Sequence, residues 1–336
     1  MKEKIPISPL REEGNQDSAS QPLPVITKGQ NRLMLKPGYG ESQAHHGELF
    51  QGQIEDRSGR RRRCLLSLPC RNLFSRVTLV PDMTGVLKVE PSHKIKTKCV
   101  VEMTLAYLDA VDIGGVIAVT NNIEEGKGYG SSTADCVAAA VATADAVGRR
   151  LSDNEIARLV VDAETASDNV MFDRAVLFAQ REGAVLEDYA RPFPRVEVLG
   201  IDTDADGFVD TLDYPPADYT WQHIQTFHTL ISALRRAFRT GDLALLGRVA
   251  TASSRINEYF LPKAKFAEIQ SLATHARILG IAVAHSGTIL SLLLDPDDPQ
   301  LERKIEFLQK GLDRLGFCPV FRFQTSTPQT KTNVAA

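Results

Sequence analysis

The chain has 336 residues, 43% of them hydrophobic and 24% charged, which is enough for a substantial core and, by length, about two domains. A formal net charge of -3 gives no global reason to expect nucleic acid or an anionic membrane, and no apolar run reaches the ~18 residues of a membrane helix. Five scattered cysteines (Cys64, Cys70, Cys99, Cys136 and Cys318), without a Cys-x-x-Cys pair or a secretory signal, point to a reducing cytoplasm, and Cys64 and Cys70, which flank a strand-like run, read as buried small hydrophobes rather than metal ligands.

Residues 1–40 are rich in Pro, Ser, Gln, Glu and Lys and read as a disordered extension. Short strands are predicted at 65–68, 75–80 and 86–89, separated by Pro and Gly signals. A helix follows over 97–110, with Val101, Leu105 and Leu108 on one face, and then a buried strand at 115–120. Residues 134–147 are nearly all Ala and Val, too apolar for a surface helix, and are expected to run through the domain centre. Ser152-Asp153-Asn154-Glu155 has the spacing of a capping box, and 175–179 with 184–186 form a hairpin.

A second region begins near Pro192. It contains a strand at 196–202, helices at 219–238, 243–259 and 263–279, and strands at 281–284 and 289–294. A helix at 302–315, a closing strand at 319–323 and a polar tail from 324 to 336 complete the chain. This alternation suits a split βαβ, ferredoxin-like unit, so the expected architecture is two packed α+β domains, 41–190 and 191–323.

The segment between strand 115–120 and the small-residue helix is Gly126-Lys127-Gly128-Tyr129-Gly130-Ser131-Ser132-Thr133-Ala134-Asp135. Three glycines in five residues leave backbone amides uncovered, and the two serines stand where a helix N-cap is preferred. Free N–H groups and the positive end of a helix dipole suit a phosphate, and Lys127 adds a mobile positive charge beside them. The Walker pattern is absent because the lysine precedes the serines by several residues, and the dinucleotide fingerprint lacks its later glycine. The competing reading is a Gly-rich strand–helix connection capped by serine.

Further along, Glu164 and Asp168 bracket a short polar turn. Beside the cradle, one could hold Mg²⁺ and the other could accept a hydroxyl proton; away from it, both would merely cap helix ends. The adjacent His45 and His46 are a poor metal signal, because strand neighbours point to opposite faces. The run Arg60-Arg61-Arg62-Arg63 reads as a solvated loop without a role.

The Gly126–Asp135 segment resembles the second motif of the GHMP kinases (galactokinase, homoserine kinase, mevalonate kinase and relatives), typically Gly-Leu-Gly-Ser-Ser-Ala. It is most similar to the branch containing the L-threonine kinases of cobalamin synthesis, of the propanediol-utilisation type. His45-His46-Gly47-Glu48-Leu49-Phe50-Gln51-Gly52 resembles the first motif in its Gly-Glu-Leu-x-Gln-Gly form. Asp168-Asn169 looks like the Asp-Asn of homoserine kinases, although the usual Gly-x-Pro lead-in is reduced to Thr165-Ala166. Residues 283–290 resemble the third motif with Gly287 alone left of its glycines, or else form a tight strand connection.

The resemblance covers 44–323. It implies a ribosomal-protein-S5-like domain followed by a ferredoxin-like one, and a cytoplasmic, ATP- and Mg²⁺-dependent kinase. Phosphates would lie on Gly126, Gly128, Tyr129, Gly130, Ser131, Ser132 and Thr133, with Lys127 and Asp168 catalytic. Ser132 and Glu164 would hold the metal, and Glu48, Gln51 and Gly287 would meet the acceptor. Asp168 either positions the acceptor hydroxyl or deprotonates it. The acceptor implied is L-threonine, with homoserine or a sugar, or a non-catalytic nucleotide-binding protein, as alternatives. No nucleic acid or membrane partner is expected, and a homodimer is left open.

Overall fold

Two long strands carry the site. The computed structural model describes residues 35–56, 58–204, 207, 217–318 and 320–326. Strands β1 (Gly38–Glu55) and β2 (Arg61–Asp82) form an antiparallel pair. The expected break of β2 into two short strands does not occur. Pro69 is instead absorbed where the pairing is irregular: it lies opposite His45, and the register shifts between Gln43 and Ala44, between His45 and Glu48, and between Glu48 and Phe50. Such bulges tolerate a residue that cannot donate to the ladder and re-aim nearby side chains.

The first half continues with β3 (Leu87–Glu90), α1 (Ile95–Tyr107), β4 (Gly114–Asn121), α2 (Ser131–Ala146), α3 (Asp153–Glu164) and the hairpin β5 (Val176–Ala179) with β6 (Ala184–Asp188). The second half comprises β7 (Glu197–Asp202), α4 (Trp221–Thr240), α5 (Leu243–Asn257), α6 (Phe266–Ala276), β8 (Gly280–Val283), β9 (Ile289–Leu294), α7 (Leu301–Arg314) and β10 (Phe321–Gln324). One sheet runs β10-β7-β9-β8-β1-β2-β4-β3, with β5 also on β2. It passes from β1 to β8 through the single register pair Glu48 and Val283.

The expected extension over 1–40 lies mostly outside the described residues, but 38–40 already belong to β1, and Gln324 belongs to β10 rather than to a tail. β4 is half-exposed rather than buried: Ile117 points inward, while Val116 on the other face is 37% exposed. Leu49 and Phe50 of β1 pack against Phe227, Ile231 and Leu234 of α4, and β8 and β9 bury Ile281, Leu290 and Leu292 against α6 and α7.

Helix α2 occupies the centre, as its composition requires. Its alanines are buried, and it lies directly on β1 with no side chain between the two backbones. A Cβ on Gly40 would stand 2.0 Å from the carbonyl oxygen of Ala138, and one on Gly38 would stand 2.1 Å from that of Ala142. The neighbouring α3 begins with the expected capping box: the Glu155 amide donates to Ser152 Oγ, and the Ser152 amide donates to Glu155 Oε2 at 2.6 Å. The atoms that a Gly40 methyl would strike are main-chain atoms of a buried helix and have no rotamer to give. Gly40→Ala is therefore expected to destabilise the fold by about 3 kcal/mol, the upper end of overpacking penalties. Chemical denaturation checks this; a loss below ~0.5 kcal/mol would mean that α2 shifts freely over β1.

Candidate active site

The three loop glycines preceding α2 all take positive φ: Gly126 at 75°, Gly128 at 97° and Gly130 at 73°. The loop is held from both sides. The His45 amide of β1 donates to the Tyr129 carbonyl at 3.1 Å, and the Thr288 amide donates to the Lys127 carbonyl at 2.9 Å. Gly130, not a serine, is the N-cap of α2, so Ser131 and Ser132 fall inside its first turn. This frees both hydroxyls from capping. Ser131 Oγ is buried without a partner, whereas Ser132 Oγ donates to Glu164 Oε1. The loop, the helix start and the turn after α3 enclose a cavity of about 520 Å³. Lys94 and Lys96 stand at its edge; Lys94 is tied to Asp135 at 2.6 Å and to Glu125 at 2.5 Å.

Glu164 ends α3 and is buried between the two helices. Thr133 Oγ1 also donates to it, at 3.0 Å. Burial drives its pKa up to about 7 despite the hydroxyls that favour the carboxylate. A carboxylate so poorly compensated, beside hydroxyl oxygens and an anion cradle, is a donor set that fits a small hard cation such as Mg²⁺.

Asp168 has the opposite balance. Burial would raise its pKa, but His45 Nε2 at 3.0 Å and His285 Nδ1 at 3.7 Å prevail and hold it down at about 2. Burial likewise opposes the charge on His45, but Asp168 and Glu48 raise it to about 9. His285 is raised too: burial is overcome by Glu48, whose Oε1 lies 3.0 Å from Nδ1, and by Asp168. At neutral pH the floor of the cavity therefore carries an aspartate pinned by an imidazolium. His46, on the other face of β1, has its pKa lowered to about 3 by burial and by His45; it pairs with Ser291 Oγ at 2.7 Å.

Residues 96–176 match the family described as the GHMP kinases N terminal domain. Over this stretch the chain is similar to the N-terminal domain of the GHMP kinases. It is similar to an L-threonine kinase of Salmonella typhimurium, 31% identical over 202 residues, covering 59% of this chain and 66% of the relative. It is also similar to an L-threonine kinase of Citrobacter freundii, 30% identical over 190 residues, covering 53% and 62% respectively. The matched stretch thus spans just under two thirds of these relatives. Among solved structures, a homoserine kinase from Cytophaga hutchinsonii superposes with a TM-score of 0.65 at 15% identity, covering 90% of this chain and 98% of the other. Mevalonate kinase of L. major in complex with R-mevalonate gives 0.56 at 14% identity, with coverages of 89% and 98%. The fold is that of the GHMP kinases, an α+β architecture.

Of the residues singled out in the sequence, the structure brings together Gly126, Gly128, Tyr129, Gly130, Ser131, Ser132, Thr133, Glu164 and Asp168 around one cavity. Lys127 is not a mobile charge at the cradle. Its side chain is buried, with Nζ 3.0 Å from Asp202 Oδ2 and donating to the Asp204 and Gly207 carbonyls at 2.9 Å. Gln51 faces away as well: its side-chain Nε2 donates to the Val283 carbonyl at 3.0 Å, so it fastens β8 to β1. Glu48 stands behind the two histidines, and Gly287 packs on the Lys127 backbone. The arginine run is not the solvated loop expected: Arg61–Arg63 open β2, Arg61 and Arg62 pair with Glu55 and Asp56, and the half-buried Arg63 donates to the Ala217 carbonyl and lies over the Tyr219 ring. The pairing of His45 with Asp168 was missed, although both histidines of the floor sit inside the first and third motif segments.

Glu164 gives a test in solution. Its proton is bound more tightly in the folded chain (about 7) than at the unfolded value of 4.5. The stability associated with that proton is therefore present below pH 4.5 and lost as pH rises through about 7. Thermal unfolding in EDTA should show the melting temperature of Glu164→Gln falling less than that of the wild type over this window. Parallel curves would mean that Glu164 ionises freely in the fold.

Proposed function

We propose that the chain is an ATP-dependent kinase transferring the γ-phosphoryl group to the hydroxyl of L-threonine, giving O-phospho-L-threonine and ADP. The observation that carries this reading is the convergence, on one cavity, of the α2 amide terminus, the Ser132–Glu164 pair and the Asp168–His45 pair. The names of the curated relatives support threonine as the acceptor.

Phosphoryl transfer asks the protein mainly for positioning and for charge placed where it develops. The uncovered amides of Gly128, Gly130 and the first turn of α2 suit the phosphates, with Ser131 Oγ as an additional donor. Ser132 and Glu164 would hold Mg²⁺, which when bound neutralises phosphate charge. Asp168, held at about 2, is a weak base, so its part is to accept a hydrogen bond from the acceptor hydroxyl and fix its direction. His45 keeps that carboxylate ionised. The product would serve assembly of the cobalamin side chain in the cytoplasm; no described helix is long and apolar enough to cross a membrane.

Asp168→Asn keeps the shape and removes the charge. It is expected to lower kcat by roughly a hundredfold or more, on the scale of a lost general-base or orienting contact, with ATP affinity within about threefold. Ser132→Ala should instead weaken binding of the Mg·ATP complex. The deciding assay is Mg·ATP turnover with L-threonine, L-serine, L-homoserine and galactose, with products identified by phosphorus NMR. Preference for another acceptor would keep the kinase and discard threonine. Absence of turnover in protein that binds ATP would favour a nucleotide-binding protein without catalysis.

A further inference from the structure

Among the described residues lining the large cavity, five are basic: His45, His93, Lys94, Lys96 and His285. Three of them stand at the start of α1. Lys94 is bound to Asp135 and Glu125, His93 lies 3.7 Å from Glu125, and the charge of Lys96 acts on Glu164. The two histidines stand instead beside Asp168. His45 is closed off: its side chain is 1% exposed, with Nε2 on Asp168 and Nδ1 3.5 Å from Glu48. His285, on the turn between β8 and β9, is the one of the pair that offers surface to the cavity, at 19% exposure. Its Nδ1 faces Glu48 Oε1, which belongs to a fully buried side chain, so the exposed edge of the ring is the one that carries Nε2. No described residue is a hydrogen-bond partner of that nitrogen.

An imidazolium donates from both ring nitrogens, and a charge-assisted donor is matched best by an anionic oxygen. Burial and the neighbouring His45 oppose the charge on His285, but Glu48 and Asp168 overcome them, so the ring meets the cavity as a cation. We propose that His285 binds the carboxylate of the acceptor through Nε2–H, while Asp168 receives the hydroxyl of the same molecule. The inference deepens the kinase reading and rests on it. In a β-hydroxy amino acid two carbons separate carboxylate from hydroxyl. The two receiving groups are likewise neighbours, with His285 Nδ1 3.7 Å from Asp168 Oδ1. Arginine, the usual fork for a carboxylate, is not among the described residues lining this cavity, which leaves the task to the histidine. A neutral sugar has nothing to offer that charge, so His285 selects hydroxy acids over sugars.

The test uses the full chain with Mg·ATP and compares L-threonine with L-threoninamide, which keeps the hydroxyl and the amino group but carries no carboxylate. Loss of one charge-assisted hydrogen bond should raise the wild-type KM roughly tenfold to a hundredfold for the amide, with kcat much less affected. This comparison needs no substitution, so it stands even if a variant fails to fold. His285→Gln keeps an N–H donor without the charge. It should raise the KM for L-threonine by a similar factor, leave the KM for ATP within about threefold, and erase most of the difference between acid and amide. A merely structural histidine would weaken both acceptors alike and preserve their ratio. Equal KM values for acid and amide in the wild type, or an unchanged ratio in His285→Gln, overturn the assignment and leave the kinase reading standing. A rise confined to the KM for ATP places the histidine on nucleotide phosphate and overturns it too. If the wild type phosphorylates no amino acid, calorimetry with a non-hydrolysable ATP analogue decides. Binding of L-threonine in preference to its amide, lost in His285→Gln, keeps the assignment, and absent binding in the wild type overturns it.

Discussion

The site depends on how closely the backbone of α2 approaches the backbone of β1. Gly38 and Gly40 remove the side chains that would hold helix and strand apart, and the alanines of α2 do the same from the other side. Close-packed interiors transmit position faithfully, because nothing soft lies between the two elements. The start of α2 is thereby fixed against His45. A Cβ on Gly130 would stand 2.5 Å from that imidazole ring and 2.9 Å from Asp168 Oδ2. Cradle, histidine and aspartate are thus parts of one rigid contact rather than three independently placed groups.

Charge is distributed over this frame in a divided way. Glu164 and Asp168 are four residues apart and similarly buried, yet their pKa values move in opposite directions. The difference lies in their partners. Burial outweighs the Ser132 and Thr133 hydroxyls and the Lys96 charge that favour the Glu164 carboxylate, whereas two imidazoles outweigh burial at Asp168. One carboxylate is left short of positive charge and suits a cation. The other is already neutralised and suits orientation.

Much of this was legible in the sequence because it is local chemistry. The Gly126–Gly130 run, the small-residue helix and the Ser152 capping box each follow from residues within a few positions of one another, and the structure places all three as expected. What was not legible depends on partners far along the chain. Pro69 reads as a strand breaker until the irregular pairing with His45 absorbs it. Lys127 reads as a free charge until Asp202 claims it, and Gln51 as a ligand for substrate until Val283 does. Ser131 and Ser132 read as caps because a glycine in the left-handed conformation is a less obvious N-cap than a hydroxyl. The His45–Asp168 pair joins residues 123 positions apart (168 − 45), which no spacing rule addresses.

His45 and His46 are chain neighbours whose pKa values, about 9 and about 3, lie on opposite sides of neutrality. The strand alternates its faces, so one ring meets carboxylates while the other sits among Tyr129, Phe321 and Phe323. The two values belong to the surroundings and not to the residues: a slip of β1 by one residue would turn each ring to the opposite face, where it would take up or release a proton to suit its new neighbours. Identical side chains a single peptide apart thus read two environments, the charged floor of the site and the aromatic wall behind it.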